Sequence, residues 1–307
     1  MNKLVIIFCV IALYGASYSA VEGASRIVGG IAAQENQFRY MVSLQERSQR
    51  NQTTRGHRCG GALVSYRHAL TTASCLYNNN TGRFTQIRPR DYWLFAGSAR
   101  LDNNATFLLQ SIERFTIHPQ FDPRVRFVND IAIITAFSNF PTDWVRVLNL
   151  PYADVITTPY MCHSPGWGGY DSSTNASVNL LYTTSYPTTN SPCSTFYRNQ
   201  SIAITMTPNM LCAIPYTNTS GCQGDSGNPL VCNNEILGVQ FLSKNCSLPV
   251  TDLPWNPDVY TRVFRYKDWI EGIVIGRQPL PSAASTFQLC YGLLALLVIV
   301  QILTSKS

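Results

Sequence analysis

From Arg26 to about Gly276 the apolar residues fall in short runs separated by Gly, Pro and Asn: "RYMVSLQ", "GALVS", "YWLFAGS", "TFLLQSIERFTI", "DIAIITAF", "EILGVQFL" and "DVYTRVF". Their length and β-branched, aromatic character predict strands. Helical spacing is convincing only in "YKDWIEGIVIG", where Trp269, Ile270, Ile273 and Val274 form a stripe expected to dock on the second half of the domain. No internal repeat, low-complexity tract or α/β alternation interrupts this pattern, so the expected fold is all-β and built from closed barrels.

The two ends read differently. Residues 1–20 place Lys3 before an apolar stretch from Leu4 to Leu13 and then small residues, the layout of a secretory signal cut between Ser19 and Gly23. Residues 21–26 are then a short propeptide. At the other end, "FQLCYGLLALLVIVQIL" (Phe287 to Leu303) has the length of a minimal membrane span. Ser282, Ala283, Ala284 and Ser285 ahead of it resemble a glycolipid-anchor attachment site with a short spacer. On either reading, residues 277–307 tether the protein to a membrane.

Composition adds three constraints. The chain has 307 residues, 45% of them hydrophobic and 13% charged, which excludes a disordered protein and fits one double-barrel domain or two small ones. The net charge of +6 comes from scattered Lys and Arg without long runs, so no nucleic-acid partner is expected. Export implies oxidising conditions, under which Cys59, Cys75, Cys162, Cys193, Cys212, Cys222, Cys232 and Cys246 can pair. Asn-X-Ser/Thr sequons at Asn51, Asn79, Asn104, Asn175, Asn199, Asn218 and Asn245 fit a glycoprotein of the secretory pathway, located outside the cell or at its surface. No metal or other cofactor is expected.

Seven motifs occur in order: "RIVGG" (Arg26 to Gly30), "CGGALVS" (Cys59 to Ser65), "ALTTASC" (Ala69 to Cys75), "NDIAII" (Asn129 to Ile134), "GWGG" (Gly166 to Gly169), "GCQGDSGNPLVC" (Gly221 to Cys232) and "PDVYTRV" (Pro257 to Val263). Residues 27–276 thereby resemble the trypsin-like serine proteases. The resemblance implies two six-stranded antiparallel β-barrels with the site between them. It also implies the disulfides Cys59–Cys75, Cys162–Cys232, Cys193–Cys212 and Cys222–Cys246, which use every domain cysteine.

The resemblance further assigns the nucleophile to Ser226, the buried carboxylate to Asp130, and the oxyanion hole to the backbone N–H groups of Gly224 and Ser226. Where the family has "TAAHC" this chain has "TTASC", so Ser74 occupies the place of the base. A serine hydroxyl does not act as a base near neutral pH, and it is too short to span from a carboxylate to a second hydroxyl. In subtilisin, loss of the histidine costs roughly 10⁶ in kcat, about 8 kcal/mol of transition-state stabilisation. The four histidines, His57, His68, His118 and His163, are expected to be structural.

Further departures concern substrate binding. Asn228 replaces the second glycine of "GDSGGP", and its side chain is expected to intrude where backbones pack closely. "QFLS" (Gln240 to Ser243) replaces the Ser-Trp-Gly segment that aligns substrate. The specificity pocket is assigned to Ser220, Ser243 and Asp258, with Asp258 either attracting a basic side chain or plugging the cavity. Activation is assigned to a cut after Arg26, which frees Ile27 to pair with Asp225. The expectation is a protease homologue without proteolytic activity that binds a protein or peptide partner: a protease, a protease substrate or an inhibitor. The alternative is an active trypsin-like endopeptidase of unusual or weak activity.

Overall fold

The computed structural model describes residues 30–125, 127–158, 160–168, 176–199, 204–216, 225–243 and 257–276. Fifteen strands follow in chain order: β1 Ile31–Ala32, β2 Met41–Glu46, β3 His57–Ser65, β4 His68–Thr71, β5 Tyr77–Asn80, β6 Arg83–Gln86, β7 Tyr92–Ala96, β8 Leu109–Ile117, β9 Ala132–Ala136, β10 Cys162–Gly166, β11 Leu181–Thr188, β12 Met210–Pro215, β13 Pro229–Cys232, β14 Glu235–Leu242 and β15 Asp258–Arg262. Two α-helices, α1 Ser191–Asn199 and α2 Lys267–Val274, and five short 3₁₀ segments complete the described elements.

Six strands close the first barrel in the order β2-β3-β4-β9-β8-β7. The second runs β11-β10-β13-β14-β15-β12 and closes through the β11–β12 pairing, with β1 added outside on β11. All pairings between these strands are antiparallel. Closure leaves few free edges, which suits a chain made of many short strands.

Strand β9 shows why the barrels meet where they do. All five of its residues are buried. Ala132, Ile134 and Ala136 join Val42, Leu44, Leu63 and Leu94 in the core of the first barrel. Ile133 points the other way, into a separate cluster with Leu70, Phe95, Val231, Val239 and Ile270. The period of two thus gives one strand two cores, and the second core joins the halves.

Helix α2 follows its predicted stripe, with Ile270 and Ile273 buried. It docks on more than the second half. Trp269 packs edge-on against His118, at 5.2 Å between ring centres, and Tyr266 just before the helix donates its hydroxyl to Asn129 Oδ1 at 2.9 Å. Both partners belong to the first half. Helix α1 is an addition to the elements predicted from the pattern. Its buried Cys193, Phe196 and Tyr197 have helical spacing, Pro192 falls in the first turn where its missing N–H is harmless, and Cys193 is bonded to Cys212 on β12.

Candidate active site

The site is assembled across the seam between the barrels. After β4 the chain turns into a short 3₁₀ segment, Ser74–Leu76, fixed by the Cys59–Cys75 disulfide. The Ser74 N–H donates to Asp130 Oδ1 at 2.7 Å. Asp130, just before β9, is 3% exposed, and its carbonyl accepts the Thr261 hydroxyl of β15 at 2.8 Å. Ser226 enters from the second barrel. Its carbonyl accepts the Gly60 N–H of β3 at 3.1 Å and lies 3.5 Å from Cys75 Sγ, beside Ser74.

The turn that presents Ser226 needs glycine at one position. Gly227 has φ +89°, and a side chain there would overlap the Gly60 carbonyl and the Thr71 hydroxyl. Its N–H bonds to the Gln240 carbonyl at 2.8 Å, and the turn closes from Asn228 N–H to the Asp225 carbonyl at 3.0 Å. Asp225 itself is buried and accepts the Gly168 N–H at 3.0 Å.

Asn228 does enter a space between closely packed backbones, as the sequence leads one to expect, and the glycines opposite make room for it. Its side chain fills a space opposite two glycines: a Cβ on Gly60 would overlap its Oδ1, and one on Gly166 would overlap its Nδ2. It is 1% exposed and donates Nδ2 to Asp225 Oδ1 at 2.7 Å. The buried carboxylate therefore has an amide donor from three residues along its own chain.

Burial dominates the electrostatics. Removal from water pushes Asp130 up to about 6, against the lowering effect of donors on Ser74 and Ala73. Ser74, Tyr77, Phe121, Phe127, Phe241 and Asp130 line a cavity of about 350 Å³. Phe127 and Phe241 stack at 5.5 Å on its wall. None of the four histidines lines it.

The histidines are engaged elsewhere. His57 Nδ1 bonds to the Ser43 hydroxyl and His68 Nδ1 to that of Ser65, each at 2.7 Å. His118 packs on Tyr266 and Trp269, and His163 on Phe38 and Tyr182. Burial lowers His68, His118 and His163, so these rings favour the neutral form.

The structure thus brings Ser74, Asp130, Ser226 and Asp225 together. Asp258 is 1% exposed at the start of β15, paired with Ala213, and helps raise the pKa of Tyr197 and Tyr260, for which burial is the larger cause. Ser243 follows β14 and is half-buried. Arg26, Ile27, Ser220 and Gly224 lie outside the described residues, as do Cys222, Cys246, Asn175, Asn218 and Asn245. The disulfides Cys59–Cys75, Cys162–Cys232 and Cys193–Cys212 are present. Asn51, Asn79, Asn104 and Asn199 are exposed. Among the described residues no group of His, Cys, Asp and Glu is gathered for a metal, and no helix is long and apolar enough to cross a membrane.

Two residues outside the sequence-based assignment matter here. Thr261 ties Asp130 to the second barrel, and Phe127 walls the cavity. Thr261 lies inside the recognised "PDVYTRV" segment; Phe127 carries no comparable signal.

Two six-stranded barrels with a serine and a buried aspartate brought together at their seam define a chymotrypsin-fold protein. Residues 27–270 match the family model "Trypsin", and the chain belongs to that family. It is 30% identical to "Anionic trypsin" of Canis lupus familiaris, over 89% of this chain and 98% of that one. Identity is 27% to "Azurocidin" of Homo sapiens, over 92% of this chain and all of that one. Among solved structures, "Human heparin binding protein" superposes with a TM-score of 0.64 at 26% identity, over 83% of this chain and all of that one.

Proposed function

We propose that this trypsin-family chain does not hydrolyse peptides and acts by binding a protein or peptide: a protease, a protease substrate or an inhibitor. In that role it serves as a cofactor or decoy in a protease cascade. One observation carries the reading. The residue whose backbone N–H bonds to the buried carboxylate is a serine, Ser74, and no histidine ring lines the cavity there. Acyl transfer needs a group that takes the nucleophile's proton and returns it to the leaving amine, and Ser74 supplies none.

Export through residues 1–20 and tethering through residues 277–307 put this binding activity at the cell surface. The cut after Arg26 retains a regulatory role on this reading, by delivering the Ile27 amine towards Asp225.

An active-site-directed phosphonate tests the reading on the Arg26-cleaved protein beside a Ser74→His variant. The expected outcome is a Ser226 adduct, read by mass, in the variant alone. An adduct in the unsubstituted protein would establish the active endopeptidase instead.

A further inference from the structure

We propose that the cavity beside Ser74 is a carbohydrate site filled by this chain's own N-glycan, carried on Asn79, which thereby closes the site to a partner. The proposal deepens the binding role argued above and rests on its premise of export and glycosylation. The geometry comes from the hairpin of β5 and β6. Asn79 pairs with Phe84, and Tyr77 with Gln86, across its antiparallel strands. The period of two therefore puts Tyr77, Asn79 and Phe84 on one face, and all three line the cavity. Asn78 and Thr85 lie on the other face and line a separate hollow with Arg47 and Tyr92. At the tip, Thr81 and Gly82 take positive φ, 52° and 85°, and the Gly82 N–H donates to Asn79 Oδ1 at 2.9 Å. That bond holds the side chain by its oxygen and leaves the nitrogen, the atom that carries an N-glycan, for the sugar. Asn79 is exposed, and Asn79-Asn80-Thr81 is a sequon.

The lining suits a sugar. Tyr77 and Phe84 from the hairpin meet Phe121, Phe127 and Phe241 from other segments, which supplies flat rings for the apolar CH face of a pyranose. Ser74, Tyr77 and Asp130 set polar groups among these rings, which matches the hydroxyls along a pyranose edge. The volume, about 350 Å³, is at the low end of the roughly 300–1,000 Å³ of ligand pockets, and the space opens to water on the side where Asn79 stands. A ligand with both apolar faces and a hydrated rim fits such a space without stripping its polar groups of partners. Attachment at the rim also settles the source of the sugar. So short a tether supplies an effective concentration on the order of millimolar, enough to hold a sugar whose free affinity is weak. The exposed sequon residues Asn51 and Asn104 do not line this cavity, so their glycans have no such seat. Partner binding in the cavity then belongs to molecules whose Asn79 is unmodified.

The test follows enzymatic release of the N-glycans by a peptide N-glycosidase from the native full-length chain, made in a eukaryotic secretory host, with each site read by peptide mass. Release at Asn79 is expected to be at least roughly tenfold slower than at Asn51 and Asn104, the effect of a contact worth about 1.4 kcal/mol that must open before cleavage. The rates should converge once the protein is denatured. Phe84→Ala removes part of the wall and should restore most of the native rate at Asn79; cooperative melting confirms folding. Isotope-labelled N-acetylglucosamine gives a second reading. The acetyl methyl signal of the Asn79 sugar, identified by its loss in Thr81→Ala, is expected upfield of the others through the ring currents of the wall. An unmodified Asn79, native release as fast as at Asn51 and Asn104, a slow rate unchanged in folded Phe84→Ala, or a methyl signal among the others overturns the proposal. Phosphonate labelling of Ser226 in Thr81→Ala, which lacks this sugar, bears on catalysis alone, so the two readings fail separately.

Discussion

Asp130 carries the chemical character of the site at the scale of one residue. Its folded-state pKa, about 6, lies above the ~3.9 of an unfolded aspartate because burial disfavours the charge. Stability from this group is therefore fully present below pH ~3.9 and is lost as pH rises through 6. Asparagine cannot ionise, so Asp130→Asn is expected to gain on the order of 3 kcal/mol relative to the unsubstituted protein between pH 4 and 8, read from denaturant melts across that range. A constant difference between the two proteins would contradict it. The complementary change, Ser74→His, is expected to restore phosphonate labelling because Asp130 and Ser226 are already gathered at the seam.

Between β9 and β15, and in the segments that precede α2, stability depends on contacts made between elements. Arg262 at the end of β15 is 4% exposed and pairs with Asp154 at 2.8 Å. Its guanidinium is held below its ordinary value chiefly by desolvation, and Asp154 opposes that shift. Asp154→Ala leaves a buried charge unmatched and is expected to cost about 3–5 kcal/mol in chemical denaturation, whereas the exposed Arg124–Asp122 pair should contribute less than about 1 kcal/mol. How much of the elements the sequence reveals depends on what each buries. Strands β2, β7, β9, β14 and β15 are apolar enough to stand out. Strand β11 buries alternate residues Leu181, Thr183, Ser185 and Pro187, so its alternation is real but largely not hydrophobic. Helix α1 is hidden for a related reason: nine residues with only Cys193, Phe196 and Tyr197 buried give a weak stripe.

For the whole molecule, ordered motifs reveal the double barrel more clearly than periodicity does. The same motifs locate Ser74, Asp130 and Ser226, because each sits beside a turn or disulfide that fixes local geometry. They do not reveal the aromatic cavity, whose walls come from segments distant in sequence. Long-range cross-links then hold the assembled molecule. The Cys162–Cys232 bond spans 70 residues of the second barrel. Replacing both cysteines by alanine is expected to cost about 4 kcal/mol by loss of loop-closure constraint, measured by equilibrium denaturation. A cost near zero would mean that the denatured chain is already compact in this region.

The side chain of Asn228 has a consequence for the history open to this chain. It occupies the volume beside Gly60 and Gly166; it alone closes position 60 to a larger residue, and together with Asp225 it closes position 166. Replacement of Asn228 by glycine is sterically free, since it only vacates space. Substitution at 60 is barred for as long as the asparagine stays, and at 166 the Asp225 carboxylate bars it as well. One substitution at 228 therefore decides whether position 60 can ever carry a side chain, whereas position 166 stays closed by Asp225 either way.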